Sequence, residues 1–261
     1  MKQRIITGVV AGALFILFVL LGNLPFTLLV YALAAVGIYE LLKMKNIQIF
    51  SIPGILGLLV TFSLLLPPSV NLEEIAVTKL ELLIIGAILL LIYSVLVKNH
   101  FNFDDVGFTL LSTIYVGMGF YYLIETRNGG LEFIIFALLI VWSTDSGAYF
   151  IGRKIGKKKL WPEISPNKTV EGFVGGIIAA VVFACIMQMI YPISSSYIAI
   201  IIIAIIASIF GQMGDLVESA IKRHYGVKDS GNLLPGHGGI LDRFDSLLFV
   251  LPLLHFLHFV N

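Results

Sequence analysis

From Ser196 to Lys222 the chain reads SYIAIIIIAIIASIFGQMGDLVESAIK. The first dozen residues are almost wholly apolar and do not alternate. A barrel strand would alternate with a period of two, so this run predicts a helix. Its length suits the roughly 20 residues needed to cross a hydrocarbon core. The polar residues that follow are ordered. Ser208, Gln212, Asp215, Ser219 and Lys222 recur at spacings of four, three, four and three, with Glu218 beside them. Such spacings put them on one helical face. Polar groups at membrane depth are costly against lipid, so the inner part of this helix must line a cavity or another helix.

Eight further segments have the same apolar character: 5–22, 26–42, 50–67, 80–97, 106–124, 131–150, 170–191 and 240–260. Turn residues such as Asn23 to Pro25, Pro67-Pro68 and Asn128 to Gly130 separate them. The expectation is an all-α, polytopic integral membrane protein with about nine transmembrane helices. The basic start followed by Ile5 to Leu21 reads as a retained first span rather than a cleaved signal, because no small-residue cleavage site follows. Composition agrees. Hydrophobic residues make up 58% and charged residues only 13%, against about 25% charged in a soluble domain. A net charge of +1 gives no field for nucleic acid. The lone Cys185, in an apolar run, excludes a disulfide framework and a thiolate metal cage.

Charge placement predicts orientation. With a cytosolic N-terminus, 15 of the 17 Lys and Arg fall on inner stretches, and only Lys79 and Arg127 fall outside. Cytoplasmic loops carry such an excess. The C-terminus is then outside, the loops 152–169 and 219–239 are cytosolic, and the protein sits multi-pass in the cell (inner) membrane with its site facing the cytosol. Residues 1–125 form an N-terminal transmembrane region sparse in chemistry. There Glu40, Glu73, Glu74, Glu81, Asp104 and Asp105 read as solvated helix-end or loop charges. Residues 126–261 form the catalytic region of one contiguous membrane unit. His255 and His258, at the outer end, read as interfacial.

Three blocks in the second region concentrate polar groups. Trp142, Asp145, Ser146 and Tyr149 share a face at the end of the sixth helix; an interfacial aromatic beside a solvated Asp is the alternative reading. Ser165-Pro-Asn-Lys-Thr-Val-Glu-Gly172 opens the seventh helix, with Asn167 or Thr169 as cap and Lys168 and Glu171 one turn apart. Helix N-termini favour phosphate, and Gly172, Gly175 and Gly176 allow a close helix neighbour. The third block runs from Ser219 to Asp245. It places Lys222, Arg223, Lys228 and Arg243 among Asp229, Asp242 and Asp245, around the glycines 236, 238 and 239 and His237. His237 reads as a phosphate donor or acid, or as a turn histidine.

Carboxylates alone would suggest cation transport, and cations alone anion binding. Here they alternate. Hard carboxylates hold Mg²⁺, which takes further ligands from substrate phosphates. Lys and Arg neutralise the remaining oxygens. Phosphoryl and nucleotidyl transfer need this set. The expected metal ligands are Asp215, Asp242 and Asp245, with Asp145 in support. No Walker or dinucleotide fingerprint is present.

The 219–245 block closely resembles the signature of the phosphatidate cytidylyltransferase (CDP-diacylglycerol synthase) family: Ser219, Lys222-Arg223, Lys228-Asp229, Pro235-Gly-His-Gly-Gly239 and Asp242-Arg-Phe-Asp245. The blocks at 142–149 and 165–172 resemble the family in order. The resemblance covers roughly 140–250. It implies transfer of the cytidylyl group of CTP to phosphatidate, with Mg²⁺ and room for a second cation. The implied catalytic residues are Asp145, Lys168, Glu171, Lys222, Arg223, Lys228, Asp229, His237 and Arg243. The expected partners are CTP and phosphatidate in the bilayer, and the expected assembly is a homodimer. The rivals are a related CTP-dependent lipid enzyme, acting on archaeal ether lipid or as a polyprenol kinase, a cation-coupled transporter, and a structural subunit.

Overall fold

Long apolar runs form helices in a membrane because only internal hydrogen bonding satisfies the backbone there. The computed structural model of the chain describes residues 2–67 and 77–260, with side chains from Ile6 onward. The helices are α1 (Lys2–Leu21), α2 (Asn23–Met44), α3 (Ile52–Leu65), α4 (Lys79–Leu96), α5 (Phe103–Gly129), α6 (Leu131–Ile155), α7 (Val170–Ile190), α8 (Tyr197–His224), α9 (Leu241–Phe244) and α10 (Leu247–Phe256). Among the described residues six helices, α2 and α4 to α8, are long and apolar enough to cross a membrane. Three shorter apolar helical stretches, Ile6–Leu21, Ile52–Leu65 and Leu247–Phe256, accompany them. The protein is an all-α, multi-pass membrane protein.

Two compact units divide the chain: Met1–Glu125 with Asp229–Leu241, and Thr126–Lys228 with Asp242–Asn261. In the first unit small residues set the packing. A Cβ at Gly86 of α4 would collide with Val60 of α3, and one at Gly117 of α5 would lie 2.9 Å from Leu64. Gly37 of α2 fits against Val116, Phe120 and Leu241. α4 starts with a capping box between Thr78 and Glu81. Asp105 accepts from the Asn102 amide at 2.8 Å and pairs with Lys45 at 3.0 Å.

Glu40 departs from the sequence expectation. It is 2% exposed, not a solvated charge. Its carboxylate accepts the Ser230 hydroxyl at 2.9 Å and the amides of Ile240 and Leu241 at 2.9 and 3.0 Å. The burial comes from a segment 190 residues away in sequence, which no local pattern near Glu40 announces. Asp105 is corrected too, since it is ion-paired rather than merely solvated, while Asp104 and Glu81 are exposed as expected. Glu73 and Glu74 lie outside the described residues.

In the second unit α6 and α7 pack over their length through glycines. A Cβ at Gly147 would collide with Ala179, one at Gly175 would meet Ile151, and one at Gly176 would lie 2.9 Å from the Thr144 carbonyl. This is the close approach expected from the glycines of α7. Two expectations about element ends are corrected. Residues 165–169 do not begin a helix; they form the strand β2 (Ser165–Thr169), antiparallel to β1 (Lys159–Trp161). Pro166 keeps the preceding residue extended, and the helix starts only after Thr169, whose hydroxyl accepts the Gly172 amide at 3.1 Å. The segment 240–260 is not one helix. It breaks at Asp245 and Ser246, where the Asp245 carboxylate takes the Ser246 amide at 2.6 Å, a local bond that competes with the helical ladder.

Candidate active site

The stripe on α8 organises the second unit. Its deep end is dry: Thr144 donates its hydroxyl to Ser208 at 2.9 Å, and the Gln212 amide donates to the Phe173 carbonyl at 3.2 Å. One turn on, Asp215 opens into a pocket of about 440 Å³. Asp145, Tyr149 and Arg153 of α6 line it, with Asn167 and Lys168 of β2, Gly172 and Phe173 of α7, and Gln212 of α8. The hairpin of β1 and β2 is what brings Lys168 there. Its Nζ sits 2.6 Å from Oδ2 of Asp215, with both side chains about a third exposed.

A third carboxylate joins from the break before α10. A Cβ at Gly214 would lie 2.6 Å from the Asp245 carbonyl, so the glycine lets that turn close on α8 beside Asp215. Asp145, Asp215 and Asp245 are near enough for their charges to act on one another, and Lys168 and Arg243 act on Asp145 with the opposite sign. One turn further along α8 lies a second, drier cluster. Lys222 Nζ reaches Oδ1 of Asp242 at 2.6 Å and also ion-pairs with Glu218. The Glu218 side chain is 1% exposed and that of Asp242 5%.

This arrangement can hold polyphosphate. The cations Lys168 and Arg153 line one cleft with Gly152 and Gly172, which leave space, and with the carboxylates Asp145 and Asp215. Three mutually repelling carboxylates are the donor chemistry of a hard dication, and in that sense Asp145, Asp215 and Asp245 fit Mg²⁺. Among the described residues no three acidic, His or Cys side chains already converge as a finished metal cage; ammonium groups stand against Asp215 and Asp242 instead.

The model of the cytidylyltransferase family matches residues 2–260. The chain belongs to that family. It is 56% identical to a phosphatidate cytidylyltransferase of Bacillus subtilis, over 98% of this chain and 97% of the relative. It is 51% and 49% identical to phosphatidate cytidylyltransferases of Staphylococcus saprophyticus and Staphylococcus epidermidis, over 98% of each chain.

The residues singled out from this family member's sequence divide by what they touch. Asp145, Lys168 and Asp215 line the pocket, and Asp245 and Arg243 act electrostatically on Asp145. Glu171 does not face them: it accepts the amides of Lys157 and Lys158 at 3.0 and 3.2 Å, tying down the turn before β1. Arg223 likewise serves the backbone, donating to the carbonyls of Ile164 and Val227, each at 3.3 Å. Lys222 is buried between two carboxylates, Glu218 and Asp242. Lys228 and Asp229 are on an exposed turn. His237 belongs to the first unit, where its ring packs on Gly8 of α1.

Tyr149 and Gln212, marked in the sequence by their polar faces, reach the site, and so does Arg153, which was not singled out. Tyr149 and Arg153 are one turn apart, and Arg153 Nη1 donates to the Tyr149 hydroxyl at 3.2 Å. Their register with Asp145 on α6 was the available signal.

Proposed function

We propose that this protein joins the cytidylyl group of CTP to phosphatidate, giving CDP-diacylglycerol and pyrophosphate. The observation that carries the reading is 56% and 49% identity, over 98% of the chain, with proteins named for that reaction, on a chain whose polar pocket lies at the ends of long apolar helices. A phosphate oxygen of phosphatidate attacks the α-phosphorus of CTP. The bond from that phosphorus to the bridging oxygen breaks, and pyrophosphate leaves. No protein nucleophile is required, so catalysis is positioning and charge stabilisation.

Lys168, beside Asp215 at the mouth of the pocket, binds phosphate oxygens. Arg243, exposed and acting on the same acidic set, meets the charge that grows on the departing pyrophosphate. Lys222 holds Asp242 in place from behind. Asp145, Asp215 and Asp245 would hold Mg²⁺, whose chemistry is to neutralise and align phosphate oxygens. The nine-crossing topology with a cytosolic N-terminus belongs to this proposal, supported by the Lys and Arg distribution. It puts the pocket in a bacterial cell membrane on the side where CTP is made.

The direct assay uses purified protein, labelled CTP, phosphatidate and Mg²⁺. Labelled CDP-diacylglycerol is the expected product. Transfer of γ-phosphate label to a polyprenol, or of cytidylyl label to an ether lipid and not to phosphatidate, overturns the reading in favour of a related CTP-dependent enzyme.

A further inference from the structure

The proposed chemistry leaves unused the most deeply buried carboxylate among the described residues of the first unit. Glu40 lies near the C-terminus of α2, where the helix dipole disfavours negative charge, and burying a charge without partners is costly. Its retention there needs a cause. Both oxygens are engaged: Oε2 accepts the Ser230 hydroxyl and the Leu241 amide, and Oε1 accepts the Ile240 amide. These donors bracket one segment, with Ser230 opening it and Ile240 and Leu241 closing it.

Within that bracket the backbone has been cut to fit the carboxylate. A Cβ on Gly231 or on Gly239 would run into Glu40. Between them the chain turns on itself, with Leu234 and Gly238 bridged and Gly236 and Gly238 at φ of 77° and 82°, a region that favours glycine. At the tip His237 abuts α1; a Cβ on Gly8 would lie 2.9 Å from its Nε2. The loop is therefore gripped at both ends by Glu40 and at its tip by α1. The residue after Leu241 is Asp242, and Arg243 follows.

We propose that Glu40 is a positioning residue for cytidylyl transfer: it grips the 230–241 segment through both carboxylate oxygens and so sets the chain that delivers Asp242 and Arg243. The kinetic part of this inference rests on the function proposed above. Glutamine cannot replace the grip. It has one acceptor oxygen, and in either orientation its NH₂ would face a backbone N–H, that of Ile240 or that of Leu241. Aspartate keeps the charge but is one methylene short. The N-terminal helices, which carry none of the pocket residues, thereby acquire a task in the reaction.

The test compares wild type, Glu40→Gln, Ser230→Ala, their double variant and Glu81→Gln in one detergent. It reads kcat, KM for CTP and phosphatidate, the melting transition, and hydrogen exchange across 230–241. Glu40→Gln should lower kcat roughly 10²-fold, the cost of about 1 Å of misplacement, with KM changed only a few-fold, the melting transition retained and faster exchange at Ile240 and Leu241. Ser230→Ala should give a smaller loss, non-additive with Glu40→Gln because both act through one loop. Glu81→Gln should match wild type.

Wild-type kcat for Glu40→Gln overturns the proposal, and so does a loss that only tracks the amount of folded protein. If Glu40→Gln does not fold, Ser230→Ala decides, and an unaltered kcat for it is equally fatal. Should the wild-type protein itself make no CDP-diacylglycerol, the functional reading fails instead. The exchange data then decide for Glu40 alone: lost protection at Ile240 and Leu241 supports the grip, and unchanged protection ends it.

Discussion

Glu40 in the first unit and Asp215 in the second are both carboxylates on long apolar helices, but their partners differ in kind. Glu40 is met by a hydroxyl and two backbone amides, all fixed by the fold. Asp215 is met by the flexible ammonium of Lys168 at the edge of a pocket, with a third of its side chain still exposed. Fixed neutral donors hold a carboxylate in one place and hide it. A single ammonium on a flexible side chain beside a pocket can be given up to an incoming phosphate, leaving Asp215, itself a third exposed, free to take a metal. The difference separates a carboxylate that shapes the chain from one that meets a substrate, although the residue chemistry is the same.

The sharpest way to break this comparison is to neutralise the open carboxylate. Asp215→Asn keeps the shape and removes a hard ligand, so turnover should fall to background while the melting transition remains. Near-normal turnover at low Mg²⁺ would remove Asp215 from the site. Next comes the dry cluster, which resembles Glu40 in burial and Asp215 in its charged partner. Lys222→Met leaves Glu218 and Asp242 facing each other without a cation, and losing one member of a buried ion pair costs about 3–5 kcal/mol. Thermal unfolding should show a drop of that size. A stable Lys222→Met protein would mean that the cluster is wetter than its exposure indicates.

Arg243→Ala should lower kcat by roughly 10²–10³-fold, as for one lost oxyanion donor, with little change in melting temperature. The reverse result, normal kcat and a lower melting temperature, would move Arg243 to a structural role. Lys168→Ala should act more mildly. It removes a ground-state phosphate contact and should chiefly raise KM for CTP or phosphatidate, as steady-state kinetics over both substrates would show.

A multi-pass helical membrane protein was legible from the residues alone, because run length and apolar character are local properties that the bilayer reads directly. It also marked the stripe from Ser208 to Lys222, since helical spacing is local too. Helix ends were less legible. α6 runs on to Ile155 and α8 to His224, because Lys and Arg are good helix formers that continue a helix past the apolar boundary. The remaining features came from packing. The β1–β2 hairpin carries Lys168 to Asp215, the closure at Gly214 sets Asp245 beside it, and Ser230, Ile240 and Leu241 turn Glu40 from an apparent surface charge into a buried one. Each depends on partners distant in sequence, and a side chain's burial and its counter-charge are properties of the packed chain that no local pattern encodes.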